Sequence, residues 1–305
     1  MVTLAHLSDL HMAVEPRGAQ LLSKRGLGLI NWYRGRGKIH RPATLAAIVR
    51  DLKSQCFDHI AVTGDLVNFS LPEEYARARD WLAALGEPRD VTAMPGNHDV
   101  YVRGIEQMPG QFWGDYMRGD DGLDRFPFVR RRGAAALIAL SSGVATGPFM
   151  ATGRLGARQL DRLAAVLEAT RDAFRVVLIH HPPGSPPQRY LRRLVDAPAL
   201  RRVLAGHGAE LLLHGHDHRS SLVWLEGPHG SRIAAVGVPS ASAAVPHGEE
   251  GAATYHLFKI DETGGAASNT GAKAWSCEMI VRQLGADGVI REAGRRMLRQ
   301  AAPDA

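Results

Sequence analysis

The sequence predicts an α/β protein, a largely parallel sheet covered by helices with a second sheet packed on it in a single domain. Three observations point there. Residues 2–94 alternate short apolar runs with helix-spaced segments, the strand–helix–strand–helix–strand order of parallel sheets. From residue 220 onward the texture changes to apparent strands divided by glycine-rich joints. With 305 residues and 45% apolar content, the chain can bury a substantial core.

Val2 to Leu7 reads as a buried strand that delivers Ser8-Asp9-Leu10-His11. Asp9 and His11 are two residues apart, so in an extended backbone both face one side. Residues 17–41 form a basic-aromatic insertion. Arg17, Lys24, Arg25, Arg34, Arg36, Lys38 and Arg41 are interleaved there with Leu21, Leu22, Leu27, Leu29, Ile30, Trp32 and Tyr33, and no acid intervenes. Such a segment suits a short amphipathic helix that meets an anionic headgroup or membrane surface, or packs on its own domain with a solvated basic rim. Pro42 to Gln55 carries Leu45, Ile48, Val49 and Leu52 at helical spacing, and Phe57 to Val62 is a strand ending in Thr63-Gly64-Asp65. Ser70 and Glu73 have the spacing of a capping box, with Tyr75, Ala78, Leu82 and Leu85 as the buried stripe of the helix that follows.

Val91 to Met94 is the next strand and leads into Pro95-Gly96-Asn97-His98-Asp99, which on its own reads as a polar turn. Beyond it, Ile105 to Met117 is a helix candidate, Arg125 to Arg132 a basic patch and Ala134 to Leu140 a strand. Leu160, Leu163, Ala164 and Leu167 share a helical face. Phe174 to Ile179 is a buried strand ending in His180-His181, and Arg189 to Leu204 holds a helix broken or started near Pro198. Glu210 to Leu213 ends in His214-Gly215-His216-Asp217-His218. Strands at Ser220 to Leu225, Arg232 to Val238, Thr254 to Ile260 and Trp275 to Val281 follow, with joints that include Gly264-Gly265. The domain is expected to end near residue 285, with 286–305 as an exposed turn-rich tail.

Composition narrows the function classes. No basic flank, apolar segment and cleavage site appear in sequence before Val2, as a secretory signal would require, and no apolar run reaches the ~18 residues of a spanning helix. Cys56 and Cys277 lie outside any C-x-x-C pattern and read as two free thiols of a reducing compartment. The expected location is cytoplasmic, peripheral at the membrane if residues 17–41 meet lipid. The 37 Lys+Arg against 31 Asp+Glu give +6, which favours an anionic partner, but no dedicated nucleic-acid module is recognisable.

Five apolar strands end in potential metal ligands: Asp9 with His11, Asp65, Asn97 with His98, His180, and His216 with His218. Functional groups collect outside the carboxyl ends of such strands, so the five ends can converge. Buried polar groups each need a partner, and two divalent ions would supply them. Oxygen and imidazole donors without thiolate suit Mn, Fe or Zn. Asp65, alone on its strand, is the natural bridge between two ions. Two divalent ions give +4, Asp9 and Asp65 subtract two and a bridging hydroxide one more; the remaining charge of about +1 favours an anionic substrate, and paired metals perform in-line phosphoryl displacement. His98 is then placed to protonate the leaving oxygen, and Asp99 to hold its imidazole.

The set Asp9-x-His11, Gly64-Asp65, Gly96-Asn97-His98-Asp99, His180 and Gly215-His216-x-His218 resembles the calcineurin-like metallophosphoesterases, in their motif order, over about residues 1–225. The resemblance implies a two-sheet αββα sandwich and a phosphodiesterase. It implies one ion on Asp9, His11, Asp65 and His218, the other on Asp65, Asn97, His180 and His216, and His98 as the acid or phosphate-contacting residue. His181 and His214 are extra histidines beside matched ones. The spacing and size look like the class III cyclic-nucleotide-type branch, acting on a small phosphodiester or nucleotide-type pyrophosphate. The 17–41 segment departs from simple members of that branch. In character it resembles the membrane-meeting segments of UDP-2,3-diacylglucosamine pyrophosphatases of lipid A synthesis, which is the alternative function.

Overall fold

In the computed structural model, which describes residues 1–184, 186–263 and 274–299, β1 (Val2–Leu7), β2 (His59–Val62) and β3 (Val91–Ala93) are buried at every position. They pair in parallel, Leu4 opposite His59 and Ile60 opposite Val91. Strands covered on both faces need this burial throughout. Between β1 and β2 lie α1 (Lys24–Asn31), a π-helical turn at Trp32–Arg36, α2 (Gly37–Ile39) and the crossover helix α3 (Pro42–Lys53), which buries Leu45, Ile48 and Leu52. The crossover helix α4 (Pro72–Leu85) joins β2 to β3 and buries Tyr75, Ala78, Leu82 and Leu85.

The cap of α4 differs from the Ser70–Glu73 pairing. Pro72 occupies the first helical turn, which shifts the start by one residue, and Glu74 does the capping. Its Oε2 accepts from the backbone N–H of Phe69 at 2.8 Å and of Leu71 at 3.1 Å, and its Oε1 accepts from Val14 N–H at 2.9 Å. Burial pushes this carboxyl up to about 7.

The second sheet is built from the middle of the chain. After α5 (Met108–Trp113) come β4 (Phe128–Arg132), β5 (Ala135–Ala139), α6 (Ala157–Ala169), β6 (Phe174–Leu178), α7 (Ala197–His207), β7 (Leu211–His214), β8 (Ser221–Glu226) and β9 (Arg232–Gly237). The sheet order is β4-β5-β6-β7-β9-β8, parallel from β5 to β9 with antiparallel edges. The helix expected within Arg189 to Leu204, broken or started near Pro198, starts at Ala197 with Pro198 in its first turn.

The C-terminal strands correct the expectation that the second half forms the second sheet. β10 (Thr254–Thr263), β11 (Ala274–Leu284) and β12 (Ile290–Arg299) return to the first one, whose order is β12-β11-β10-β1-β2-β3. β10 runs antiparallel to β1, Val2 opposite Ile260, and covers an edge that the parallel trio leaves open. Part of the expected tail is therefore a sheet strand. Of the residues of β12 only Leu298 is buried, so its charged, exposed sequence carries no strand signature. The Gly264-Gly265 joint and residues 300–305 of the tail lie outside the described residues.

Strand alternation divides the core. Leu137, Val176 and Leu213 face the first sheet and meet Leu4, Val62, Ala93 and Phe258 in one apolar cluster. Ile138, Val177 and Leu212, one step along the same strands, face outward under Leu163 of α6 and Leu200 of α7. The layers are helix, sheet, sheet, helix, and the carboxyl ends of β1, β2, β3, β6 and β7 open toward one another.

Candidate metal centre

At the ends of β1, β2 and β7 the polar residues sit on a sharply turned backbone. Asp9, His11, Asp65, His216 and His218 have φ of 58°, 48°, 53°, 69° and 53°, a left-handed backbone that non-glycine residues seldom adopt. The extended geometry expected for Asp9 and His11 is thus absent; the chain turns within the motif to bring both side chains inward. Strain of this kind persists only where surrounding structure holds it, and it concentrates at functional sites. The loops also touch. Gly64, at φ +97°, passes so near the next loop that a Cβ there would lie 2.6 Å from Gly96 N and 2.8 Å from His180 Nδ1, and one on Gly96 would overlap the Asp65 carboxylate.

The expected site residues converge in two groups. In one, His180 Nε2 lies 3.3 Å from Asp65 Oδ2, 3.2 Å from Asn97 Oδ1 and 3.3 Å from His216 Nδ1. In the other, His218 Nε2 lies 3.1 Å from Asp9 Oδ1 and 3.0 Å from His11 Nε2. Asp65 belongs to both sides: its donor atoms fall within 4.8 Å of those of His180 and His216, and equally of those of His11 and His98. Asp9, His11, Asp65, Asn97, His180, His216 and His218 are all buried.

The outer nitrogens of the rings are fixed by oxygens. His180 Nδ1 donates to Thr63 O at 2.7 Å, His216 Nε2 to Arg192 O at 2.8 Å, His218 Nδ1 to the Glu250 carboxylate at 3.0 Å and His98 Nδ1 to Asn68 O at 2.6 Å. These oxygens only accept, so each outer nitrogen carries the proton and the opposite nitrogen of the ring points inward. A carbonyl or carboxylate behind each of these four imidazoles is the support that metal-binding histidines have, whereas His11 Nδ1 is buried without a partner among the described residues.

Electrostatics agree with a cation site. Burial lowers the affinity of His180 and His218 for a proton, but the adjacent Asp65 and Asp9 carboxylates reverse this and raise both to about 9. Burial opposes ionisation of Asp65 too, and His180 and His98 beside it hold its carboxyl low. Protons thus sit where donor atoms converge, the charge that bound divalent cations would replace. The donor chemistry fits such ions.

Asp99 has a different task from the one expected. His98 is held by the Asn68 carbonyl, while the Asp99 carboxylate is turned to the backbone and accepts from Val67 N–H at 3.0 Å and Gly96 N–H at 2.8 Å. It ties the loop bearing Asp65 to the loop bearing Asn97. His98 itself stacks on Tyr101 at 5.1 Å between ring centroids, and burial lowers its imidazole to about 4. His181 bonds Ser142 Oγ at 2.8 Å and Ala151 O at 3.1 Å, and His214 bonds Gly215 O at 3.1 Å, so both are occupied outside the two groups.

Sequence reasoning missed three neighbours. Glu250 reaches His218 from the loop before β10, far along the chain and without a local pattern. His40 is buried with its ring centroid 4.5 Å from that of His11. Arg36, named only as part of a basic run, points its guanidinium at His11 and His98.

Comparison with known proteins places these features in a family. Residues 2–220 match the calcineurin-like phosphoesterase family. A probable cyclic nucleotide phosphodiesterase of Synechococcus is 29% identical over 225 residues, covering 72% of this chain and 74% of the relative. The glycerophosphodiester phosphodiesterase GpdQ of Enterobacter lignolyticus is 27% identical, covering 69% and 72%. Among solved structures, purple acid phosphatase from yellow lupin seeds aligns with 95% of this chain at TM-score 0.57 and 14% identity. A 5′-nucleotidase precursor from Thermus thermophilus aligns with 91% at TM-score 0.50 and 15% identity. The chain spans only 52% and 54% of those two structures, which share its fold. Among the described residues, no helix is long and apolar enough to cross a membrane.

Proposed function

We propose that this chain, which belongs to the calcineurin-like phosphoesterase family, hydrolyses phosphodiesters with two divalent ions held between its two donor groups. Family membership makes it a phosphoric ester hydrolase of small phosphoester or nucleotide substrates, and the fold implies divalent metal ions. The observation that carries the finer reading is Asp65, which stands within reach of both groups while the rings around it present inward nitrogens. Asp9, His11, Asp65 and His218 would then hold one ion, and Asp65, Asn97, His180 and His216 the other. Bound there, Mn, Fe or Zn ions would supply a water of lowered pKa and positive charge for the phosphoryl oxygens.

The chain's own groups do the rest. Thr63 O, Arg192 O and Glu250 keep three rings in the tautomer that faces inward. His98, with Nδ1 anchored on Asn68 O, keeps Nε2 free of a proton at rest, so that Nε2 takes the proton given up by the attacking water and passes it to the leaving oxygen. Diesters rather than monoesters are favoured because both curated relatives are named as phosphodiesterases. Neither name points to UDP-2,3-diacylglucosamine. The test is hydrolysis of bis-p-nitrophenyl phosphate by protein loaded with Mn, beside the monoester p-nitrophenyl phosphate. Faster turnover of the diester, abolished by chelation and restored by Mn, is expected; turnover of the monoester alone would defeat the diester reading.

A further inference from the structure

Between Glu15 and Asp51 the chain has no acidic residue, yet the basic residues of the insertion are used in different ways. Lys24 donates to Thr146 Oγ1 at 2.8 Å and Met150 O at 2.9 Å and lies 4.3 Å above the Tyr101 ring. Arg25 donates to Phe69 O at 2.8 Å and Ser70 O at 2.7 Å. These two fasten α1 to the rim of the site, against the loop that supplies Asn68 and the ring that stacks on His98.

Arg36 is different. It leaves the π-helical turn between Gly35 and Gly37 and is half-buried, with Nη2 3.3 Å from His11 Nε2 and Nη1 3.4 Å from His98 Nε2. Among the described residues it makes no ion pair. A guanidinium has five N–H donors and stays charged, and drawing it from water without acceptors is costly. Its two acceptors are long contacts to inward ring nitrogens. The lone pair of His11 Nε2 is not free for Arg36 once that nitrogen holds an ion, and His98 Nε2 alone cannot satisfy a planar fork of donors.

We propose that Arg36 is a phosphoryl-binding residue, brought over the site by the 18–39 segment to donate to the non-bridging oxygens of the substrate and of released phosphate. Two parallel N–H···O contacts to one phosphate match the fork. This rests on the phosphoesterase reading above. It gives the insertion a role in recognising the anion at the reaction centre, with Lys24 and Arg25 as its anchors.

The test uses metal-loaded wild type, Arg36→Ala and Arg36→Lys, with inorganic phosphate as the probe. Calorimetry should show phosphate binding weakened by about 10- to 100-fold in Arg36→Ala and partly restored in Arg36→Lys, the range for hydrogen bonds to a charged group. KM for bis-p-nitrophenyl phosphate should rise with it while elemental analysis finds the wild-type metal content. Phosphate affinity within about twofold of wild type in a fully loaded Arg36→Ala overturns the proposal. Should that variant misfold or lose metal, the wild type decides: added phosphate must slow amide hydrogen exchange across residues 32–39, and unchanged exchange overturns the proposal equally. A wild type that binds phosphate through Arg36 but cleaves no diester defeats the diester reading and leaves Arg36 assigned.

Discussion

Replacing Asp99 separates a role in tying loops from a role in orienting the catalytic ring. Its carboxylate is buried and accepts from two backbone N–H groups, Val67 and Gly96, one on each ligand-bearing loop. Asp99→Ala leaves both donors without a partner, and each buried orphan costs about 1–3 kcal/mol, so the loss is ~2–6 kcal/mol. Asp99→Asn keeps the shape and one acceptor but sets an amide NH₂ against a donor, for a loss of ~1–3 kcal/mol. The lost side-chain packing is small beside these terms because Asp adds little volume over Ala. Urea denaturation of the metal-free variants should therefore rank wild type above Asn above Ala. Metal affinity should fall about 10- to 100-fold, as it does when support behind ligands is removed, while turnover at saturating metal stays near wild type because His98 is held by Asn68 O. A fall in turnover with stability and metal affinity intact would refute this and restore Asp99 as the partner of His98.

His98→Ala should keep both ions, by elemental analysis, and slow hydrolysis of a diester with a poor leaving group by about 10²- to 10⁴-fold; full speed would remove His98 from the chemistry. Away from the site, His59 bonds Thr92 Oγ1 at 2.7 Å and accepts from Arg132 Nε at 3.3 Å, and burial, helped by Arg132 and Arg130, lowers its pKa to about 3. Below pH 6.5 the unfolded chain binds a proton that folded His59 refuses. Its contribution to stability is therefore complete above pH 6.5 and is lost by up to about 1.4 kcal/mol per pH unit on the way down to about 3. Unfolding free energies of wild type and His59→Gln should converge as pH falls through that window, and a constant difference would contradict the buried neutral state.

The strand ends were legible because their chemistry is local: Asp9, Asp65, Asn97, His180 and His216 each follow an apolar run that one strand can explain, and a polar residue there needs a reason. The two-layer packing was legible in the same way, from continuous apolar strands between amphipathic helices. The return of β10 to β1 depends on pairing Val2 with Ile260, and no local pattern encodes a partner so far along the chain. β12 is charged at five of its ten positions, Arg291, Glu292, Arg295, Arg296 and Arg299, and is held by its ladder to β11, not by an apolar face. Glu250 and the carbonyls of Thr63, Asn68 and Arg192 were hidden for another reason. Backbone oxygens have no sequence identity, and a carboxylate in a loop looks like any solvated one until the histidine it faces is placed. The left-handed turns at Asp9 and His11 went unseen because alternation assumes a straight strand, whereas convergence on a small site requires the chain to bend inside the motif.

The sharing of Asp65 between two ions is tested most directly by counting metal. Chelated protein is titrated with Mn, dialysed, and assayed by elemental analysis for wild type and Asp65→Ala, with circular dichroism to verify the fold. The expected result is two ions per wild-type chain and, because Asp65 stands in both groups, depletion of both in the folded variant. One ion in the wild type, or two retained after Asp65→Ala, would contradict it.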